Sequence, residues 1–162
     1  MDLNSQIIRS EIQINMPVEQ TFVMVFRHDL LDFFKTLPCM PVFTHSAGRP
    51  EHFRPGFEHA IYFKNGDRAK RRLVCFLPDM SFTASVYGFS SGYLGILEIE
   101  YQYYFSADEK QSGFTEVRSE YRFKFHRGIR ALLFRVFWKS KTQDALDSFL
   151  VKIREAVQDD PF

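Results

Sequence analysis

Arg71 is the residue whose position asks most of its surroundings. It stands in Ala69–Leu77, a stretch that reads as a strand. A two-residue turn at Pro78-Asp79 pairs Cys75 with Phe82 and Leu73 with Ala84 on one face. That register carries Arg71 onto the same apolar face, opposite Val86. A buried guanidinium needs an anion, because burial of an unpaired charge is very costly. A clamp for a ligand carboxylate or phosphate is one arrangement that supplies it. A structural pair with Glu58 or Glu98, or a bulge that turns Arg71 to water, are the others. Arg68, Lys70 and Arg72 read as a solvated edge.

Tyr101, Tyr103, Ser119 and Tyr121 form a second polar cluster on an otherwise apolar strand face. Buried hydroxyls need partners, which a ligand, ordered water or the hydroxyls themselves can provide. Histidine is the side chain whose unperturbed pKa lies nearest neutrality, so His59 and His45 are candidate acid–base groups. Neither has a carboxylate at a spacing that suggests a catalytic dyad, and a loop or strand-face histidine explains both. His28, His52 and His126 show no metal-ligand spacing, and Cys39 and Cys75 fit no metal or redox motif. There is no nucleophile elbow, phosphate loop or zinc motif. The expectation is therefore no catalytic residue, no metal and no cofactor.

The elements that must position these residues are mostly strands. On residues 94–126, Leu97, Ile99, Tyr101, Tyr103 and Phe105 alternate with Glu98, Glu100, Gln102 and Tyr104. After the polar linker 106–113, Val117, Ser119, Tyr121, Phe123 and Phe125 alternate with Glu116, Arg118, Glu120, Arg122 and Lys124. Period-two alternation makes one wet face and one aromatic face. Further strands are expected at 6–15, Met40–Thr44, Phe57–Lys64 (turning at Asn65-Gly66), Ala69–Leu77 and Met80–Tyr87. Gly48 to Gly56 and 88–92 read as connectors. A helix starts at Pro17 with Val18, Phe22, Val25 and Phe26 at helical spacing. A second short one follows, capped by Asp29, carrying Leu30, Leu31, Phe33, Phe34 and Leu37 and ended by Pro38. Phe134, Trp138, Thr142, Ala145, Leu146, Phe149, Leu150, Ile153 and Val157 predict one long helix over about 129–158.

The bulk numbers narrow the class. The chain has 162 residues, 45% hydrophobic and 25% charged, with a formal net charge of +1 that argues against nucleic acid. Its 19 Phe, 7 Tyr and 1 Trp mean an interior built from flat rings. The start has no signal-peptide pattern and no run is long enough to span a bilayer. A cytoplasmic protein with reduced cysteines, forming a single domain over 1–162, is the expectation. One run stands out: Arg122, Lys124, His126, Arg127, Arg130, Arg135, Lys139 and Lys141, uninterrupted by an acidic residue. With Leu132, Leu133, Phe134, Phe137 and Trp138 interleaved, it reads either as a weak membrane-surface or partner contact, or as apolar residues capping the sheet beneath solvated charges. The second is preferred.

The order of elements resembles the helix-grip fold of the START and polyketide cyclase-like (SRPBCC) superfamily. Ile12-Gln13-Ile14-Asn15-Met16-Pro17-Val18-Glu19-Gln20-Thr21-Phe22 is similar to its opening strand, proline, acidic residue and aromatic. Gly113-Phe114-Thr115-Glu116-Val117 is similar to the start of its last strand, and the terminal helix is amphipathic. The resemblance covers the whole chain. It implies an α+β fold with a curved antiparallel sheet of about seven strands, two short helices after the first strand, and a long C-terminal helix. It also implies a cavity between sheet and helix for a small, mainly apolar molecule such as a lipid or polyketide. Arg71, Leu73, Phe82, Tyr101, Tyr103, Ser119, Tyr121, Phe123, Leu146 and Phe149 are the expected ligand contacts. Two other activities occur in the superfamily. A cyclase or dehydratase would need a proton-transfer pair, His59 with Tyr101 or Tyr121. An interaction module of the Hsp90-activator kind would need an exposed apolar patch near Phe134 and Trp138. The oligomeric state is left open.

Overall fold

A computed structural model describes residues 4–28, 30–37, 40–47, 54–91 and 95–159. Asp29, Pro38, Cys39, Gly48, Pro50, His52 and Gly92, to which the sequence reading assigned roles, lie outside the described residues.

Seven strands form one antiparallel sheet: β1 (Ser5–Ile14), β2 (Phe43–Ser46), β3 (Glu58–Phe63), β4 (Arg68–Leu77), β5 (Ser81–Tyr87), β6 (Ile96–Ala107) and β7 (Thr115–Phe125). The spatial order is β1-β7-β6-β5-β4-β3-β2, so successive strands are neighbours except β1, which pairs with the last. α1 (Val18–Arg27) follows β1, and Pro17 stands just before it as the N-cap. The Met16 carbonyl accepts the Thr115 hydroxyl at 2.7 Å and lies 3.2 Å from the Thr21 hydroxyl, whose shorter bond is to the Pro17 carbonyl at 2.9 Å. One backbone oxygen thus joins the two segments that carry the family resemblance.

The element after α1 is a 3-10 helix, Leu30–Lys35, rather than a second α-helix. Six residues are too few to repay α-helix nucleation, and short tight turns of this kind are common connectors. Thr36 closes it, donating from both its amide and its hydroxyl to the Phe33 carbonyl.

The expected long helix is divided into α2 (Gly128–Phe137) and α3 (Lys139–Asp159). Trp138 leaves helical geometry at φ −122°, although its N–H still reaches the Phe134 carbonyl and Thr142 still bonds to Trp138. The two pieces bury different faces. Phe134 of α2 packs on Phe123 and Phe125 of β7. α3 lies along β1 and buries Leu146, Phe149, Leu150, Ile153 and Val157, with Gln143 donating to the Arg9 carbonyl and Ser10 to Asp147. A straight helix cannot satisfy both surfaces. Among the described residues, no helix is long and apolar enough to cross a membrane.

Two bulges correct the strand reading. One falls between Ile96 and Glu98, so Ile96 is buried and Leu97 is turned out to water. The other falls between Leu73 and Cys75, so Phe76 rather than Cys75 opposes Phe82, and Cys75 is exposed. The connecting turn spans Pro78 to Met80, with Asp79 at φ 61°. Leu73↔Ala84 and Arg71↔Val86 pair as expected. The preferred reading of residues 129–138 is also corrected. Only Ala131 and Phe134 of α2 are buried, while Leu132, Leu133 and Phe137 are exposed.

Candidate functional site on the inner face of the sheet

Hydrogen-bonded register places the candidate residues in rows across the sheet. One row runs His59, Arg71, Val86, Ile99, Phe123 over β3 to β7. The next runs Leu73, Ala84, Tyr101, Tyr121, Ile8, and a third runs Phe82, Tyr103, Ser119, Ser10. All ten expected contact residues are buried, including Leu146 and Phe149 of α3. They line or cover one face of the sheet.

Arg71 is inward. Its guanidinium carbon lies 5.7 Å from the centre of the Tyr101 ring, two strands away. Strands are about 4.8 Å apart, so the side chain has to cross β5 to get there. Ala84, opposite Tyr101, leaves the room for it. The stacking also gives the cation a favourable π face. Glu58 and Glu98, on β3 and β6, each have contacts of their own. Glu58 meets Lys70 at 3.3 Å and the Tyr87 hydroxyl, and Glu98 meets Lys124 at 3.0 Å and Ser85.

His59 sits directly opposite Arg71 in the ladder and is buried too. Burial and, after it, the Arg71 charge push its pKa down to about 4. The imidazole is neutral at physiological pH and cannot act as a general acid there.

The tyrosines answer one another. Tyr103 and Tyr121 share a hydroxyl–hydroxyl bond of 2.7 Å, and the Ser119 hydroxyl donates to the Ser10 carbonyl at 3.3 Å. Tyr101 stacks on Tyr121 at 5.3 Å and Phe82 on Tyr103 at 5.2 Å. Burial raises the pKa of both Tyr103 and Tyr121; the Tyr103 neighbour adds to the rise at Tyr121. These phenols hold their protons.

Two wall residues escaped the sequence reading as contacts. Phe33 of the 3-10 helix packs on Tyr121 at 4.7 Å and on Phe149 at 5.5 Å, and Phe34 reaches Tyr101 at 6.4 Å. Phe33 thus bridges the sheet and α3. Two adjacent large rings in a short amphipathic stretch were the available signal. Phe123 is committed to α2, stacking on Phe134 at 4.9 Å. A separate open groove of about 650 Å³ crosses β1, β7 and β6. Its charged lining, Arg9, Glu11, Arg118 and Glu120, comes from the wet side of the sheet, opposite the ring-lined face.

No protein-family model matches the sequence, and no curated protein matches it. Solved structures do. Norcoclaurine synthase of Thalictrum flavum, a point mutant in complex with a transition-state analogue, superposes with a TM-score of 0.63 at 11% identity, covering 96% of this chain and 95% of that one. The protein TTHA0849 from Thermus thermophilus gives 0.61 at 14% identity, over 94% and 97% of the two chains. Ara h 8.0201 gives 0.53 at 9% identity, over 96% and 99%. The chain shares the helix-grip fold of these structures. At these identities it is the fold, not the site, that is shared.

Proposed function

We propose that the chain is a single-domain, non-catalytic binding protein for a small, mainly apolar molecule that carries one anionic group. The apolar body lies between the inner face of the sheet and α3, and its anionic end is held at Arg71 beside His59 and Tyr101. The observation that carries this reading is the buried guanidinium on an aromatic wall. Among the described residues, Arg71 is the one Lys, Arg, Asp or Glu in the buried set. Ring burial supplies affinity, and the polar end fixes orientation. The fold is compatible with hydrophobic ligands, and the neutral His59 and proton-holding tyrosines favour binding over acid–base chemistry.

Two dyes of similar shape test it. 8-Anilinonaphthalene-1-sulfonate is an aromatic anion, and N-phenyl-1-naphthylamine lacks the sulfonate. Arg71→Met is expected to weaken the sulfonate roughly 10-fold or more, the worth of a hydrogen bond to a charged group, and to leave the neutral dye unchanged. Equal losses for both dyes, or none for either, refute the anionic end. Failure of both dyes to bind the wild type, with no apolar molecule released on denaturing the purified protein, refutes the binding reading itself.

A further inference from the structure

α2 carries two apolar faces where one would suffice. At about 100° per residue, Ala131 and Phe134 fall on one side and pack on the body of the protein. Ile129, Leu132, Leu133, Val136 and Phe137 fall on the other, and all five are exposed, Ile129, Val136 and Phe137 by more than 60%. Large apolar residues grouped on an outer helix face mark a contact surface.

The charges around this stripe specify what it contacts. Arg130 and Arg135 lie along its two edges, between the exposed and buried faces, and Arg127 stands at the N-cap position. No Asp or Glu occurs between Glu120 and Asp144. Arginines at the N-terminus of a helix oppose its dipole, a local cost that a nearby anion removes. Beside the stripe is a groove of about 520 Å³ lined by Gly95, His126, Arg127, Ile129, Arg130 and Leu133. Gly95 has φ 74°, and a Cβ there would stand 2.9 Å from Arg130 Cγ, so the Arg130 stem is laid directly on the backbone.

We propose that α2 docks this chain on an anionic lipid bilayer, with Ile129, Leu132, Leu133, Val136 and Phe137 in the headgroup–acyl boundary and Arg127, Arg130 and Arg135 among the phosphates. Apolar residues flanked by cations on a helix lying in the interface plane are the arrangement such a surface selects. A second copy on this face would bring the same arginines together around a two-fold axis, which like charge disfavours.

Co-sedimentation with phosphatidylcholine–phosphatidylserine vesicles, against vesicles of phosphatidylcholine alone, tests this. The wild type is expected to pellet with the first and not the second, and raised salt should release it. Val136→Asp with Phe137→Asp should abolish binding. Arg130→Gln with Arg135→Gln should weaken it roughly thirty-fold, the effect of withdrawing two cations from an anionic surface. These side chains are exposed, so the variants should melt with the wild type. Equal binding to both vesicle types, salt-independent binding, binding retained by the Asp variant, or no binding at all overturns the proposal. A concentration-dependent dimer that Phe137→Asp dissociates, without vesicle binding, gives the face to a second copy.

Discussion

Replacing Tyr121 with Phe removes a single oxygen and leaves the ring stacked on Tyr101 and against Phe33. What it takes away is the 2.7 Å bond to the Tyr103 hydroxyl, itself fully buried. The bond is a small net gain, but the hydroxyl left behind loses its partner and stays out of water. That costs about 1–3 kcal/mol, whereas replacing both partners is nearly neutral. Tyr121→Phe and Tyr103→Phe should therefore each destabilise by that amount, and the double variant by much less than their sum. For a chain of this length each kcal/mol lowers Tm by about 2–4 °C. Urea unfolding of the wild type, both single variants and the double variant closes the thermodynamic cycle. A coupling energy above about 1 kcal/mol is expected. Additive losses would refute the argument. If instead the hydroxyls serve a ligand, all three variants should unfold like the wild type and lose affinity for N-phenyl-1-naphthylamine.

His59 makes stability depend on pH. It takes up a proton at about 4 in the folded protein against 6.5 in an unperturbed chain, so protonation favours unfolding. Its contribution is complete above pH 6.5 and is lost as the pH falls toward 4, by at most about 3 kcal/mol at about 1.36 per unit. His59→Gln should flatten that part of a stability-versus-pH curve; an unchanged slope would show that the imidazole is not held neutral. Thr115→Val removes the 2.7 Å hydroxyl bond to the Met16 carbonyl and should cost about 1 kcal/mol in urea unfolding. An unchanged urea midpoint would refute this.

Strand faces were legible because a period of two is hard to mistake over ten residues. Tyr101, Tyr103, Ser119 and Tyr121 fell on the inner face as their alternation required, and Arg71 followed from counting back along its neighbour. The bulges were not legible. Leu97 and Ile96 are equally apolar, so nothing local says which turns inward; the strand partner decides. Cys75 and Phe76 pose the same problem, and there the larger ring took the inner position. The break at Trp138 was hidden for a different reason. Trp138 has ordinary helical propensity, and the bend comes from the two surfaces that α2 and α3 must cover. The exposed stripe of α2 was misread because apolar residues beside a sheet are usually buried, and only the packing of Phe134 shows which side faces the protein.

The pairing of β1 with β7 has a consequence for how the chain is made. Ser5–Ile14 leaves the ribosome early, yet its strand partner is Thr115–Phe125, and α3, which covers it, comes later still. At about 5–20 residues per second, the first strand waits several seconds for its neighbour. Throughout that interval Ile8, Ile12 and Ile14 are uncovered, and the strand has open hydrogen-bonding edges. Closure through the most distant contacts in the chain also makes folding slow. A nascent chain of this topology is a natural client for a holding chaperone until β7 and α3 have emerged.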